Sequence, residues 1–241
     1  MNYMKAASGN GRYGYGGSWE KTYVSNELAQ FVNMFGGDYF DWTNPANKEA
    51  VQFMHDLVAE GYTPIDQIAD KYEQMNPKAN DGKYGSLFMW GLGTDYAKAD
   101  MLGEDKIHMA MVPDFSGTGE RAIFTDSWNY VLNSASKNKE AAVKFLQYMA
   151  SEEGVKASYE AFDRYPARKD VAEKVVPDTD PAKEIYSRYA TECNVQGRPM
   201  LPQTMEFITD MGTIFQSYVK DEITVDEFCT KAQEYVDKYS E

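Results

Sequence analysis

The sequence has little of what metal and catalytic sites usually require. It contains only two histidines, His55 and His108, and two cysteines, Cys193 and Cys229. Two scattered histidines do not make a metal site, and two cysteines make neither a disulfide framework nor a zinc site. The cysteines can pair with each other, but a buried free thiol is the simpler interpretation. We therefore expect no bound metal and no other cofactor.

Positive charge and long apolar runs are scarce as well. The chain has 24 Lys and Arg against 38 Asp and Glu, a net charge of −14. Such a field repels a polyanion and no basic cluster interrupts it, which argues against nucleic-acid binding. No apolar run approaches the ~20 residues that span a bilayer. The first five residues contain no hydrophobic signal core, so the chain as given has no export signal.

Short patterns that resemble catalytic motifs have simpler explanations. Residues 9–14 match the GxGxxG dinucleotide fingerprint, but no strand precedes them, so we interpret them as a flexible glycine loop. The Ser-x-x-Lys pattern at 134–137 lies where a helix is predicted to begin, and Ser136 is typical of an N-cap. Acidic pairs of the kind that cleave glycosidic bonds are always available among 38 acids. We expect no catalytic residue.

Aromatic residues are abundant, with 18 Tyr and 4 Trp in a chain that is 43% apolar. Flat rings stack on the apolar C–H faces of sugars, but they also fill protein cores. Asp126 and Glu20 lie close to tryptophans in the sequence, which would suit holding sugar hydroxyls. The alternative is that both are solvated surface acids. The composition allows a sugar site without establishing one.

Hydrophobic periodicity predicts a helix-rich α/β chain with few strands. We predict helices at 18–35, 45–60 and 136–151, from Pro181, after Pro202, and from Thr224. Extended segments are predicted at 84–90, 107–112 and 123–133. The sharpest signals are Asn44 followed by Pro45 at the start of one helix, and a capping box from Thr224 to Glu227. The strands are too few for a complete two-lobed protein.

One ordered set of segments is more informative than any single motif. The segments are Asn33–Asp38, Asn44–Pro64, Asn80–Met89, Met111–Pro113, Ser136–Leu146, Tyr165–Arg168 and the helix that begins at Thr224. In order and spacing they resemble the carbohydrate-binding solute-binding proteins of ABC importers, the group that includes the maltose-binding protein. The resemblance implies a type II periplasmic-binding-protein-like α/β fold, in which two lobes close around a ligand.

The resemblance also implies a domain organisation. Residues 1–125 and 168–241 would form the C-terminal lobe, and residues 126–167 would cross back to the N-terminal lobe. That first lobe, about 100–150 residues, should precede Gly9 and is absent from the chain as given. The family implies an extracellular or periplasmic protein, lipid-anchored in its full-length form. Segment 136–151 would lack its partner lobe, so we expect it to repack, to stay mobile, or to form a homodimer.

The function implied by the resemblance is binding a sugar, most simply an oligosaccharide, and delivering it to the membrane permease of an ABC importer. The ligand contacts that it implies are Trp19, Glu20, Tyr23, Trp90, Tyr96, Asp126, Trp128 and Arg168. Core packing is the alternative for each aromatic ring. Where maltose-type members place a stacking ring, this chain has Phe207 and Ile208, which suggests a ligand other than maltose. Two other functions remain open, a glycan-active enzyme using an acidic pair and an isolated lobe without a ligand.

Overall fold

The computed structural model describes residues 1–88, 108–125, 129–162 and 165–241, with the backbone alone at 181 and 182. Its α-helices are α1 (Asn2–Ala7), α2 (Val24–Met34), α3 (Pro45–Ala59), α4 (Tyr72–Asn80), α5 (Lys139–Ala150), α6 (Glu152–Phe162), α7 (Lys169–Val175), α8 (Pro181–Glu192), α9 (Thr204–Val219) and α10 (Val225–Ser240). A 3₁₀ helix covers Ile65–Ala69, and the strands are β1 (Arg121–Thr125) and β2 (Cys193–Gly197).

The chain divides into two compact units. Unit one contains residues 1–88, 112–125 and 192–241, and the described part of unit two is 108–111, 129–162 and 165–191. The lobe assignment made from sequence places residues 168–191 with 1–125, whereas chain contacts place them in unit two.

The core of unit one lies where α2, α3, α9 and α10 pack on one another. Its largest fully buried side chains are Trp19, Leu28, Met54, Leu57, Phe207, Met211, Phe215 and Phe228. The predicted helix starts are confirmed at two places. The Asn44 side chain accepts a hydrogen bond from the Ala46 backbone N–H. Thr224 and Glu227 form the reciprocal capping box at the start of α10.

The glycine-rich segment is not a flexible loop, and that prediction was wrong. Its backbone follows the chain at 83–86: the Tyr13 N–H donates to the Lys83 carbonyl at 2.8 Å, and the Gly16 N–H donates to the Ser86 carbonyl at 2.9 Å. A Cβ on Gly16 would lie 2.3 Å from the ring of Tyr84. The glycines therefore permit a close approach of backbone to side chain, which holds the segment in place.

The predicted extended segments are only partly strands. β1 and β2 pair in parallel, with Arg121 opposite Cys193 and Thr125 opposite Gly197. Residues 84–88 contain isolated bridges to the glycine-rich segment. Of the segment predicted at 107–112, the described residues 108–112 form no strand, and neither do residues 129–133. The prediction at 107–112 was wrong over its described residues, whereas the one at 123–133 is confirmed at 123–125, which belong to β1, and wrong at 129–133.

The described helices of unit two are α5 to α8. α5 begins three residues later than predicted, because the Ser136 hydroxyl accepts from the Asn138 N–H in a turn that precedes the helix. No residue of α5 is buried, and the Phe145 side chain is 54% exposed. The homodimer expected through segment 136–151 finds no support in the described residues.

No helix in the described ranges has both the length and the apolar character that a membrane crossing needs.

Candidate functional site

The best-described part of the predicted site is the loop Trp19–Tyr23, which leads into α2. The Trp19 N–H donates to the Gln67 carbonyl at 3.2 Å, and the Glu20 N–H donates to the Asp70 carbonyl at 3.1 Å. Because these bonds lead away from α2, the helix begins at Val24 rather than at residue 18 as predicted. The loop is fixed by distant parts of unit one.

Trp19 lies in the core. Its side chain is 0% exposed, and its ring packs edge-on against Phe215 at a centroid distance of 5.4 Å. Its Nε1–H donates to Glu27 Oε2 at 2.9 Å. The ring therefore has no exposed face on which a sugar can stack. The expectation that Trp19 contacts ligand is corrected: its buried ring anchors the loop in the core of unit one.

Glu20 and Tyr23, in the same loop, are both partly exposed. Glu20 Oε2 accepts bonds from the N–H of Thr22 at 2.9 Å and from its hydroxyl at 2.5 Å, which tightens the loop. These bonds occupy one carboxylate oxygen of Glu20. Its role as a ligand contact stays a prediction.

Tyr23 pairs with a residue that the sequence analysis missed. The rings of Tyr23 and Tyr72 meet edge to face, with centroids 5.0 Å apart and planes at 76°. Lys71 Nζ lies 5.5 Å from the centroid of Tyr23. Tyr72 opens α4, 49 positions after Tyr23, and no sequence pattern connects the two residues. We call Tyr23 and Tyr72 the tyrosine pair.

The Tyr72 hydroxyl stays protonated. Burial raises the pKa of Tyr72 well above its usual value, and the negative charge of Glu27 adds to the effect. That hydroxyl is itself buried, so it does not reach a ligand at the surface. The tyrosine pair offers two partly exposed rings, and the polar group beside them is the Lys71 ammonium, a combination that suits a sugar.

Arg168 lies in unit two at the start of α7. Its guanidinium donates to Asp170 Oδ1 from Nε at 3.1 Å and to the Ala150 carbonyl from Nη1 at 2.6 Å. These contacts join α7 to the end of α5. The other predicted ligand contacts, Trp90, Tyr96, Asp126 and Trp128, lie outside the described residues.

The residues at the start of α9 that stand in place of a stacking ring, Phe207 and Ile208, have buried side chains. Phe207 is 0% exposed and Ile208 is 2% exposed, so both belong to the core. The exposed side chains there are Met205, at 58%, and Glu206.

A buried carboxyl group, that of Glu27, is hydrogen-bonded to the start of the loop. Glu27 is 2% exposed and accepts three bonds: from the Tyr15 hydroxyl at 2.5 Å, the Ser18 N–H at 2.8 Å and the Trp19 Nε1–H at 2.9 Å. Burial raises the pKa of Glu27, while the three donors favour the charged form and act in the opposite direction. The sequence analysis did not identify Glu27 as important.

This raised pKa gives stability a defined pH dependence. The native state holds the Glu27 proton more tightly than the unfolded chain, so its contribution is complete below the unfolded pKa of 4.5 and is lost as the pH rises through the folded pKa. From about pH 4 to about pH 7, we expect the wild type to lose unfolding free energy relative to Glu27→Gln. The slope is about 1.4 kcal/mol per pH unit between the two pKa values.

Urea unfolding of both proteins across this range measures the effect. Glu49→Gln, which removes an exposed negative charge from α3, is the matched control. A constant difference between wild type and Glu27→Gln would contradict the expectation.

No group of three or more His, Cys, Asp and Glu side chains within the described ranges is arranged to hold a metal ion.

Comparison with known proteins finds one family and many structures. The family model described as bacterial extracellular solute-binding protein matches residues 4–156, more than half of the chain. A search of curated protein sequences finds no match. Among solved structures, maltose-bound MalE3 of T. maritima is 17% identical with a TM-score of 0.75, over 98% of this chain and 63% of that one.

Two further solved structures have a similar fold. MalE from Bdellovibrio bacteriovorus bound to maltotriose is 19% identical with a TM-score of 0.75, over 98% of this chain and 64% of that one. An ABC transporter solute-binding protein from Thermotoga lettingae TMO, bound with α-D-tagatose, is 21% identical with a TM-score of 0.74, over 96% and 60%. The predicted type II periplasmic-binding-protein-like fold is confirmed, and the chain spans less than two thirds of the length of these structures.

Proposed function

Because this chain belongs to the bacterial extracellular solute-binding protein family, as its sequence resemblance predicts, we propose that it binds a sugar at a surface formed around the tyrosine pair. The family is one of binding proteins and implies a location outside the cytoplasm, in the periplasm or the extracellular space. The proposal adds a ligand class, an oligosaccharide or related sugar, and a surface that takes part in binding it.

The observation that carries the proposal is the tyrosine pair itself. The two partly exposed rings lie with their centroids 5.0 Å apart, and Lys71 Nζ lies near the Tyr23 ring. Tyr23 belongs to a loop whose backbone is held by hydrogen bonds to Gln67 and Asp70. Sugars offer apolar C–H faces and hydroxyl edges, which match ring faces and the polar groups around them. The structures of similar fold were solved with maltose, maltotriose and tagatose, which supports a sugar as the ligand class.

Replacing either ring of the tyrosine pair should weaken sugar binding. By analogy with buried aromatic anchors, we expect Tyr23→Ala and Tyr72→Ala each to cost about 1–3 kcal/mol of binding free energy. The measurement is calorimetry of the purified chain with a panel of maltotriose, maltose, tagatose and chitin oligosaccharides. Tyr235→Ala is a matched control, because Tyr235 is a partly exposed tyrosine with Lys238 Nζ 5.7 Å from its ring centroid.

Two outcomes would contradict the proposal. If the wild type binds no sugar of the panel, the ligand class is wrong. If Tyr235→Ala weakens binding as much as the Tyr23 and Tyr72 variants, the tyrosine pair is not the binding surface.

We further propose that the protein delivers its ligand to an ABC permease, and that its full-length form is lipid-anchored. Both follow from the family resemblance. Co-purification of the full-length protein with a permease encoded beside it, in detergent with and without sugar, tests the first of these.

A further inference from the structure

Within the described ranges, the buried Glu27 carboxyl group bonds to the chain that leads into the candidate site. Its three donors all belong to residues 15–19, which lie 8 to 12 positions before it. The loop Trp19–Tyr23 begins where these bonds end. Glu27 itself lies in the first turns of α2, the helix that the loop enters. One side chain thus joins both ends of the loop.

No cation compensates this group among the described residues. None of the ion pairs found there includes Glu27. The titratable groups that act on it are Tyr15, on the segment before the loop, and Tyr72, on α4. Burying a carboxylate without a cation is costly, and three converging donors are what makes it tolerable. A leucine would fill the same space in a helix without that cost.

The chain also makes room for this group. A Cβ on Gly17 would lie 2.3 Å from Glu27 Oε2 and 2.7 Å from Trp19 Nε1. The absence of a side chain at Gly17 lets the carboxyl group reach the backbone of Ser18 and the indole of Trp19 together. Gly17 and Glu27 are therefore both needed for the same set of hydrogen bonds.

The network continues to a third segment. The Tyr15 hydroxyl donates to Glu27, and the rings of Tyr15 and Phe88 meet at a centroid distance of 6.1 Å. Phe88 precedes Trp90, one of the predicted ligand contacts, by two positions in the sequence. Through Tyr15, the contacts that begin at Glu27 thus continue to Phe88.

We propose that Glu27 is a positioning residue of the sugar site: its carboxylate fixes residues 15–19 and thereby places Tyr23 against Tyr72. Glu27 does not touch the ligand, since it is buried beneath the loop. The ligand part of this inference rests on the proposed function, whereas the placement of the loop does not.

Glu27→Gln is the informative variant. The amide keeps the size of the carboxyl group but offers one acceptor oxygen and an NH₂ group in place of two acceptors. With donors on both sides, the NH₂ group must face at least one of them, so at least one bond is lost. Val32→Ala is the matched control, because Val32 is fully buried on the same helix and its apolar side chain makes none of the hydrogen bonds to residues 15–19.

Hydrogen exchange tests the placement of the loop without any ligand. We expect the amides of residues 18–23 to exchange about tenfold faster in Glu27→Gln than in Val32→Ala, with both variants compared at equal global stability. Equal exchange of these amides in the two variants would overturn the proposal, because Glu27 would then act only on global stability.

Calorimetry with maltotriose tests the consequence for binding. We expect Glu27→Gln to weaken the wild-type affinity about tenfold, and the double variant Glu27→Gln with Tyr23→Ala to bind no more weakly than Tyr23→Ala alone. Additive losses would overturn the positioning role. If the wild type binds no sugar, the proposed function fails, while the exchange experiment still decides whether Glu27 places the loop.

Discussion

Replacing Gly212 by alanine is expected to destabilise unit one by about 3 kcal/mol. Gly212 lies in the middle of α9, where glycine normally costs a helix about 1 kcal/mol relative to alanine. At this position, however, a Cβ would lie 1.9 Å from the carbonyl oxygen of Lys21. That oxygen belongs to the loop Trp19–Tyr23, so α9 and the loop would have to separate.

The experiment is discriminating because alanine normally stabilises a helix relative to glycine, whereas here alanine is expected to destabilise the protein. Gly197→Ala is the control, because a Cβ on Gly197 has no heavy atom within 4 Å, and its effect should stay within about 0.5 kcal/mol. Urea unfolding followed by far-UV circular dichroism measures both variants. A Gly212→Ala protein that is more stable than the wild type would show that α9 does not pack backbone to backbone against the loop.

Removing the ring of Phe215 should have the largest effect of a single side chain. Phe215 is 0% exposed and lies between Trp19 at 5.4 Å and Phe228 at 6.4 Å. Phe215→Ala leaves a cavity among large rings that cannot easily collapse, which costs about 3–5 kcal/mol. Because Trp19 supports the binding loop, we expect weaker sugar binding to accompany the loss of stability.

The control for Phe215 lies on the same helix. Met205 is 58% exposed at the start of α9, and Met205→Ala should change the unfolding free energy by less than about 0.5 kcal/mol. Thermal and urea unfolding of both variants provide the comparison. A loss below about 1 kcal/mol for Phe215→Ala would mean that the ring is not packed as the structure shows.

Local signals predicted much of this fold. Asn44 with Pro45 and Thr224 with Glu227 identify helix starts because a cap is made by residues a few positions apart. The buried stripe of α9 follows from the 3.6-residue period in the same way. The start of α2 was wrong because residues 19 and 20 bond to Gln67 and Asp70, which no local pattern shows.

The candidate site was predicted less well, for the same reason. The roles of Tyr23 and Glu20 stay predictions, and Trp19 was predicted to contact ligand because an indole suits a sugar site and a core equally. The Glu27 carboxyl group decides between the two, since it binds the indole N–H and holds the ring inside. Tyr72 joins Tyr23 only through the tertiary fold. Side-chain chemistry can be read from sequence, whereas the partner that selects one role for a residue cannot.

The pairing of β1 with β2 bears on the order in which the protein assembles during synthesis. Arg121 meets Cys193, so the chain must close a loop of about 72 residues, whereas Glu27 reaches Ser18 across 9 positions. By loop-closure entropy the longer closure costs about 2 kcal/mol more. The ribosome also releases Glu27 long before β2. The bonds of Glu27 to residues 15–19 can therefore form while the chain is still growing, whereas the two-stranded sheet forms only after residues 193–197 have been made.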